Sequence, residues 1–340
     1  MFQVFAATPE TMGPGDIGAH AARAEAMGYD GLQVPDAVHD GLLLAALALD
    51  ASERLLVGTG VLVAFPRSPM TVAVASWDLQ QMSGGRFELG LGTQVKANIE
   101  QRYSARWDSP VPQLREYLQS LKAIFHSFQT GEKLNFVGEH YQFTKLQPFF
   151  NPGPIEHPDI PILCGAVGPD MTRMVGRVAD GMITHPTNTP PEYIREVCLP
   201  RLRAGFEAAG RDASDFKLLL GPLLATGKDE AAVAAEWEKQ RNMLGFLYST
   251  PAYWPSLELF GWQEVGQQLL DLTREGRWED MAQVLTDEML EKFVPRGTYA
   301  EIADILREKY GELTRRITFP MPADPADDRL AAEAIAQLKS

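Results

Sequence analysis

The stretch IPILCGAVGPDMTRMVGRVADGMIT (160–184) reads as a strand, a glycine- and proline-rich turn, a helix and a second strand. Ile160 to Cys164 form an apolar, β-capable run. From Pro169 to Ala179, Met171, Met174, Val175 and Val178 fall on one helical face, with Arg173 and Arg177 towards solvent. DGMIT (180–184) returns to strand. Two strands joined by a helix must be parallel, with a right-handed crossover. The turn between strand and helix carries Gly165, Gly168 and Pro169. Proline suits a first helical turn, where its missing amide would be unpaired anyway. The glycines let backbone come close to a bound group, and free amides at a helix start favour a phosphate. A plain tight turn would use the same residues.

The same unit recurs on both sides. Strands are expected at 2–7, 28–34, 55–65, 86–92, 160–164, 180–184, 216–226 and 315–320. Helices are expected at 16–27, 42–49, 69–82, 111–128, 169–179, 191–209, 299–310 and 325–338. LLVGTGVLVAF (55–65) is apolar throughout, the mark of a strand buried on both faces. A hairpin is expected around LNFVGEHYQF (134–143). Eight alternating units fit a closed α/β barrel, a (β/α)8 TIM barrel, with an open doubly wound sheet as the alternative. Residues 1–340 then form a single domain, with a helical insertion at 229–293.

Composition narrows the function. The chain has 340 residues, a net charge of −14 and 45% hydrophobic residues. A large core is possible, and a general nucleic-acid or anionic-membrane binder is disfavoured for want of a basic face. The two cysteines, Cys164 and Cys198, do not make a disulfide framework, and no run is long enough for a membrane span. These features suggest a cytoplasmic protein acting on a small molecule.

In a barrel the active site lies at the carboxyl ends of the strands. There the sequence places Asp36 and His39, Phe65 and Arg67, Thr93 and Asn98, the GAVGP turn, and His185 with Asn188. His39 is the candidate proton carrier, because imidazole exchanges a proton near neutral pH; a helix-capping role is the bland reading. Asp36 is a polar anchor or a turn residue, and Phe65 and His185 are candidate pocket residues. None of the six histidines lies four residues from another, so no metal is expected. Gly90 and Gly92 open like a dinucleotide fingerprint, but Val95 stands where the third glycine belongs.

Several segments resemble the bacterial luciferase-like superfamily, in its branch of oxidoreductases that use coenzyme F420. They are AEAMGYDGLQVPD (24–36), ERLLVGTGVLVAFPRSPMTVA (53–73), LQQMSGGRFELGLGTQ (79–94), ILCGAVGPDMTRMVGRVADGMI (162–183) and GTYAEIADILREKYGELTRRITF (297–319). The resemblance implies a deazaflavin or flavin at the barrel mouth, with its phosphate on Ala166, Val167 and Gly168. It also implies a bulge and a cis bond at Gly60–Val61, and cofactor contacts from Asp36, Thr93 and Asn98. Hydride transfer to or from a small organic substrate follows, with His39 handling the proton. A homodimer is expected.

The sequence also departs from the superfamily's sugar-phosphate dehydrogenases. Ala37 stands where a histidine would follow the aspartate, Val95 replaces an acidic residue, and HPTN (185–188) lacks a phosphate-gripping lysine. Two other readings stand beside F420: FMN in the same pocket, with a separate reductase partner and oxygen chemistry, and a non-catalytic ligand-binding barrel. Lys96, Arg67 and Arg102 would favour the deazaflavin's anionic tail. The aromatic residues Phe246, Tyr248, Tyr253, Trp254 and Trp262 of the insertion either roof the pocket, pack between subunits or fill the insertion's own core.

Overall fold

A computed structural model describes residues 1–340. Eight parallel strands close into a barrel: β1 (Gln3–Ala7), β2 (Gly31–Val34), β3 (Leu56–Thr59), β4 (Phe87–Gly92), β5 (Ile162–Ala166), β6 (Gly181–Thr184), β7 (Lys217–Leu220) and β8 (Arg316–Thr318). Each strand pairs with its sequence neighbours, and β1 pairs with β8 through Gln3↔Arg316 and Val4↔Ile317. The open sheet is thereby excluded. This is a (β/α)8 TIM barrel. No helix is long and apolar enough to cross a membrane.

The helices start and stop where local chemistry dictates. Asp40 caps Gly41–Asp50 by accepting from the amides of Leu42 and Leu43. Ser68 caps Pro69–Ser83, with proline at its first position, and Gly84 ends it at a φ of 63° that favours glycine. Trp77, fully buried, stacks on Phe125 at 5.6 Å and meets Phe128 edge-on, locking Pro69–Ser83 against Pro110–Thr130. Losing such a side chain costs about 3–5 kcal/mol. The expected hairpin forms as Phe136–Val137 against Gln142–Phe143. It is pinned by buried Glu116, whose carboxylate accepts from the His140 amide at 2.7 Å. A Cβ at Gly138 would lie 2.3 Å from that carboxylate, so the turn needs glycine there.

Two expected strands are shorter than their apolar runs. The run 55–65 breaks at a cis peptide between Gly60 and Val61, and Leu62–Val63 then pairs with the end of β4. The run 216–226 breaks at Gly221-Pro222, since Pro222 has no amide to continue a ladder. Beyond that break, Ala225–Gly227 pairs with Arg296–Thr298 in a separate parallel sheet. The chain thus enters and leaves the 229–293 segment through adjacent strands. That segment is helical, led by Glu230–Tyr248 and Gln263–Glu275, and has its own core around Tyr248, Leu257, Leu269 and Phe293.

The two ends of the barrel differ chemically. At the amino-terminal end, buried Glu88 binds Arg316 at 2.8 Å and Lys217 at 3.1 Å, and Arg316 lies 4.4 Å over the Phe5 ring. At the carboxyl end Gly92 and Gly165 make room for the Val61 side chain, and the loops gather the polar groups.

Candidate active site at the barrel mouth

The floor of the mouth is built by Val61. Its side chain faces β4 and β5 at Gly92 and Gly165: a Cβ at Gly92 would lie 2.5 Å from Val61 Cγ2, and one at Gly165 would lie 3.3 Å from Cγ1. Val61 is itself half-buried, an apolar surface between two glycines. Beneath it, Gln33 fills the space under Gly58 and Gly60, where a Cβ would lie 2.7–2.8 Å from its amide group.

Beside this floor, β5 runs into helix Pro169–Val178. The helix start has no side-chain cap, unlike those at Asp40 and Ser68. The amides of Val167, Gly168, Asp170 and Met171 find no backbone acceptor, and the first paired amide is that of Thr172, on the Gly168 carbonyl. A Cβ at Gly168 would meet nothing within 4 Å, so open space lies beside this helix start. The carbonyls behind them are engaged: Asn188 Nδ2 donates to Ala166 O at 2.8 Å and Tyr193 Oη to Val167 O at 3.1 Å. Val167, Gly168, Asp170 and Met171 therefore present the free donors, the chemistry that a phosphate ester needs, while Ala166 contributes only its carbonyl, held by Asn188.

Asp36 is buried and anchors the loops. It accepts from the amides of Gly41 (3.1 Å) and Val63 (2.9 Å) and from the Arg67 guanidinium (2.8 and 3.2 Å). Arg67 also reaches Asp40 at 2.9 Å. Burial opposes the Asp40 charge, but the Leu43 and Leu42 amides and Arg67 hold its carboxyl below the ordinary range. His39 stands between these two aspartates in sequence and leaves the capping of the helix to Asp40. It is half-buried, and its Nε2 lies 3.5 Å from where a Cβ on Gly13 would stand, so it faces the loop after β1.

After β4, Thr93 donates to the Gln94 carbonyl and Asn98 to the Gln94 side chain at 3.1 Å. Gln94 has a φ of 60°, an uncommon conformation for a residue with a Cβ. Phe65 is 8% exposed and packs edge-on against Trp107 at 5.7 Å, at the rim of the main core.

His185 follows β6. Its ring stacks on Tyr253 at 4.2 Å and 11°, so the 229–293 segment contributes directly to the mouth. Burial pushes its imidazolium pKa down to about 4. Nδ1 takes the Thr187 amide at 3.4 Å and faces the Thr187 hydroxyl at 2.8 Å. Tyr253 lies near Glu10 of the first loop; burial first, and that charge second, raise its phenol pKa. Of the segment's other aromatic residues, Tyr248 is fully buried with its hydroxyl on Thr187 O, Trp254 donates to Tyr248 O, Trp262 packs in the local core, and Phe246 is exposed. The role of Tyr253 was not readable from local pattern, because its partner lies in another part of the chain.

An apolar floor, an uncapped helix start and two histidines thus stand at the carboxyl end of a closed barrel. The family model described as luciferase-like monooxygenase matches residues 1–316. The chain belongs to that family. It is 40% identical over 297 residues to an uncharacterized protein of Mycobacterium tuberculosis, covering 87% of each. It is 31% identical over 276 residues to the F420-dependent glucose-6-phosphate dehydrogenase of Nakamurella multipartita, covering 77% of this chain and 74% of that one. The coenzyme F420-dependent tetrahydromethanopterin reductase of Methanopyrus kandleri shares the fold with a TM-score of 0.80 at 19% identity, over 99% of this chain and 97% of that one.

Proposed function

We propose that this protein is an F420-dependent oxidoreductase that transfers a hydride to or from a small organic substrate at the carboxyl-terminal face of the barrel. The observation that carries the reading is the open space at Gly168 beside an uncapped helix start, next to the Val61 floor. Its relatives add support, since F420-dependent enzymes recur among them. Bound here, a 5-deazaflavin would supply two-electron chemistry at its C5. Val167, Gly168, Asp170 and Met171 would hold its phosphate through their amides, and Val61 would support its ring. Asp36 would fix the loops around the ring, with Thr93 and Asn98 along its edge. His39 would exchange the substrate proton, and Phe65 and His185 would border the substrate.

The family name also keeps an FMN monooxygenase in view, with a separate reductase supplying electrons. We favour a cytoplasmic homodimer for either reading. The test is anaerobic: purified protein with coenzyme F420 is screened against alcohols and carbonyl compounds, and the deazaflavin's visible absorbance is followed. Substrate-dependent bleaching of the oxidised cofactor, or its return from the reduced one, is the expected result. Turnover only with reduced FMN and oxygen would contradict it.

A further inference from the structure

Most cations of this chain are matched by a carboxylate. Lys122 and Arg211, on the outside of the barrel, pair with Asp180, and Arg67, Lys96 and Arg106, near its mouth, pair with acidic neighbours. Arg115, Arg173 and Arg177 make no hydrogen bond or ion pair within the chain. All three line one hollow of about 370 Å3 in the seam between helix Pro110–Thr130 and helix Pro169–Val178. Arg115 and Arg177 also line an adjoining hollow of about 350 Å3, which ends at the Phe136–Val137 hairpin. Two hollows that share two arginines make one groove. In a chain of net charge −14, three unmatched guanidiniums in one groove call for an anionic occupant.

The groove begins at the helix start already described. Asp170, in the first turn of Pro169–Val178, lines its upper hollow. Arg173 follows about 4.5 Å further along the helix axis and Arg177 about 10 Å, both on the Asp170 face. The helix that presents them is fixed. A Cβ at Gly205 would lie 2.3 Å from the Arg173 carbonyl oxygen, and one at Gly176 would lie 2.5 Å from that of Leu202, so the helix meets Leu199–Ala209 backbone to backbone. Of the two carboxylates in the groove, Asp170 is exposed and pairs with none of the arginines, and Glu116 is taken up by the amides of His140 and Tyr141.

We infer that this groove seats the oligoglutamate tail of F420, with its carboxylates on Arg115, Arg173 and Arg177. The inference rests on the F420 reading and adds the path of the tail to it. Continuity decides the occupant: an anionic chain tethered to a phosphate on the Val167, Gly168, Asp170 and Met171 amides meets Arg173 within one helical turn. Arg67 and Lys96, expected to meet the tail, are matched by Asp36 and Asp40 and by Glu100. Arg102 keeps its charge but lies after β4, donating to the Ala37 carbonyl in the loop after β2. FMN ends at its phosphate and would leave the groove empty.

The test titrates full-length protein, without substrate, with F420 carrying no glutamate, two or five, followed by fluorescence quenching. We expect the Kd to fall about tenfold from the shortest to the longest tail at low salt. That gain shrinks in ~0.5 M salt, which screens exposed charges. Replacing the three arginines together, by Arg115→Gln, Arg173→Gln and Arg177→Gln, removes the gain and leaves the Kd of the glutamate-free form unchanged. The exposed single variant Arg173→Gln removes part of it. The matching triple lysine variant keeps most of it, and Arg102→Gln keeps all of it. An equal Kd for all tail lengths, a gain that persists in the triple glutamine variant, or one lost in Arg102→Gln would each overturn the inference and leave the F420 reading standing. Failure of every form to bind, the glutamate-free one included, would overturn the cofactor reading and the tail path with it.

Discussion

Asp36 and Arg67 form a doubly bridged ion pair, at 2.8 and 3.2 Å, that ties the loop after β2 to the loop after β3. The same Asp36 oxygen that meets Arg67 at 2.8 Å accepts from the Val63 amide at 2.9 Å, just past the Gly60–Val61 bond. The pair therefore sets the position of Val61, the floor of the mouth. Arg67→Met should leave a buried carboxylate unpaired and cost about 3 kcal/mol in urea unfolding. Arg67→Lys should recover only part, because an ammonium cannot bridge two oxygens in a fixed plane. An Arg67→Met protein as stable as the wild type would show that the pair contributes nothing.

Two glycines should separate fold from binding. Gly90 has Thr59 O 1.8 Å from where a Cβ would stand, so Gly90→Ala should lower the melting temperature sharply. At Gly168 the φ is −79° and nothing is within 4 Å, so Gly168→Ala should melt within a degree or so of the wild type. Its methyl would stand beside the helix start and should weaken F420 binding about tenfold. Equal F420 affinity in Gly168→Ala would move the phosphate elsewhere.

His185 should leave a signature in the pH dependence of stability. Its folded pKa is pushed down to about 4 by burial, against an ordinary value of 6.5. The unfolded chain binds the proton first as pH falls, so stability is lost between pH 6.5 and about 4 and is not lost further below that. The loss is at most about 3 kcal/mol. His185→Phe has no such group, so the wild type should lose more stability than the variant on going from about pH 7.5 to 5. Parallel curves for the two proteins would mean that the ring is solvated or charged.

The lower end of the barrel should behave as scaffold alone. Glu88, 3% exposed, is held by Arg316 and Lys217. Glu88→Ala leaves buried Arg316 without its carboxylate partner and should cost about 3 kcal/mol. Cofactor affinity in the folded fraction should not change. A selective loss of F420 binding, with stability intact, would contradict the division of the barrel into a stabilising end and a binding end.

Much of this was legible in the residues. The repeated strand–turn–helix pattern around 160–184 reports the barrel because burial and helical period are both written locally. The turn at Gly165, Gly168 and Pro169 announced itself for the same reason. Apolar runs, however, report burial and not ladder pairing. The breaks at Gly60–Val61 and at Gly221-Pro222 were therefore hidden inside LLVGTGVLVAF and FKLLLGPLLAT. His185 and Tyr253 are far apart in sequence and share no periodicity, so their stacking could come only from the folded chain. The engagement of Arg67 by Asp36 and Asp40 was invisible for the same reason, and it removes that arginine from the set expected to meet an anionic tail.

The decisive measurement is a head-to-head titration of the purified protein with coenzyme F420 and with FMN, each followed by fluorescence quenching. Micromolar binding of F420, with FMN at least about tenfold weaker, is the predicted result. Tighter binding of FMN would contradict it and make the protein a flavin enzyme in search of a reductase. Binding of neither would leave the barrel mouth without the cofactor that its floor and helix start were assigned to hold.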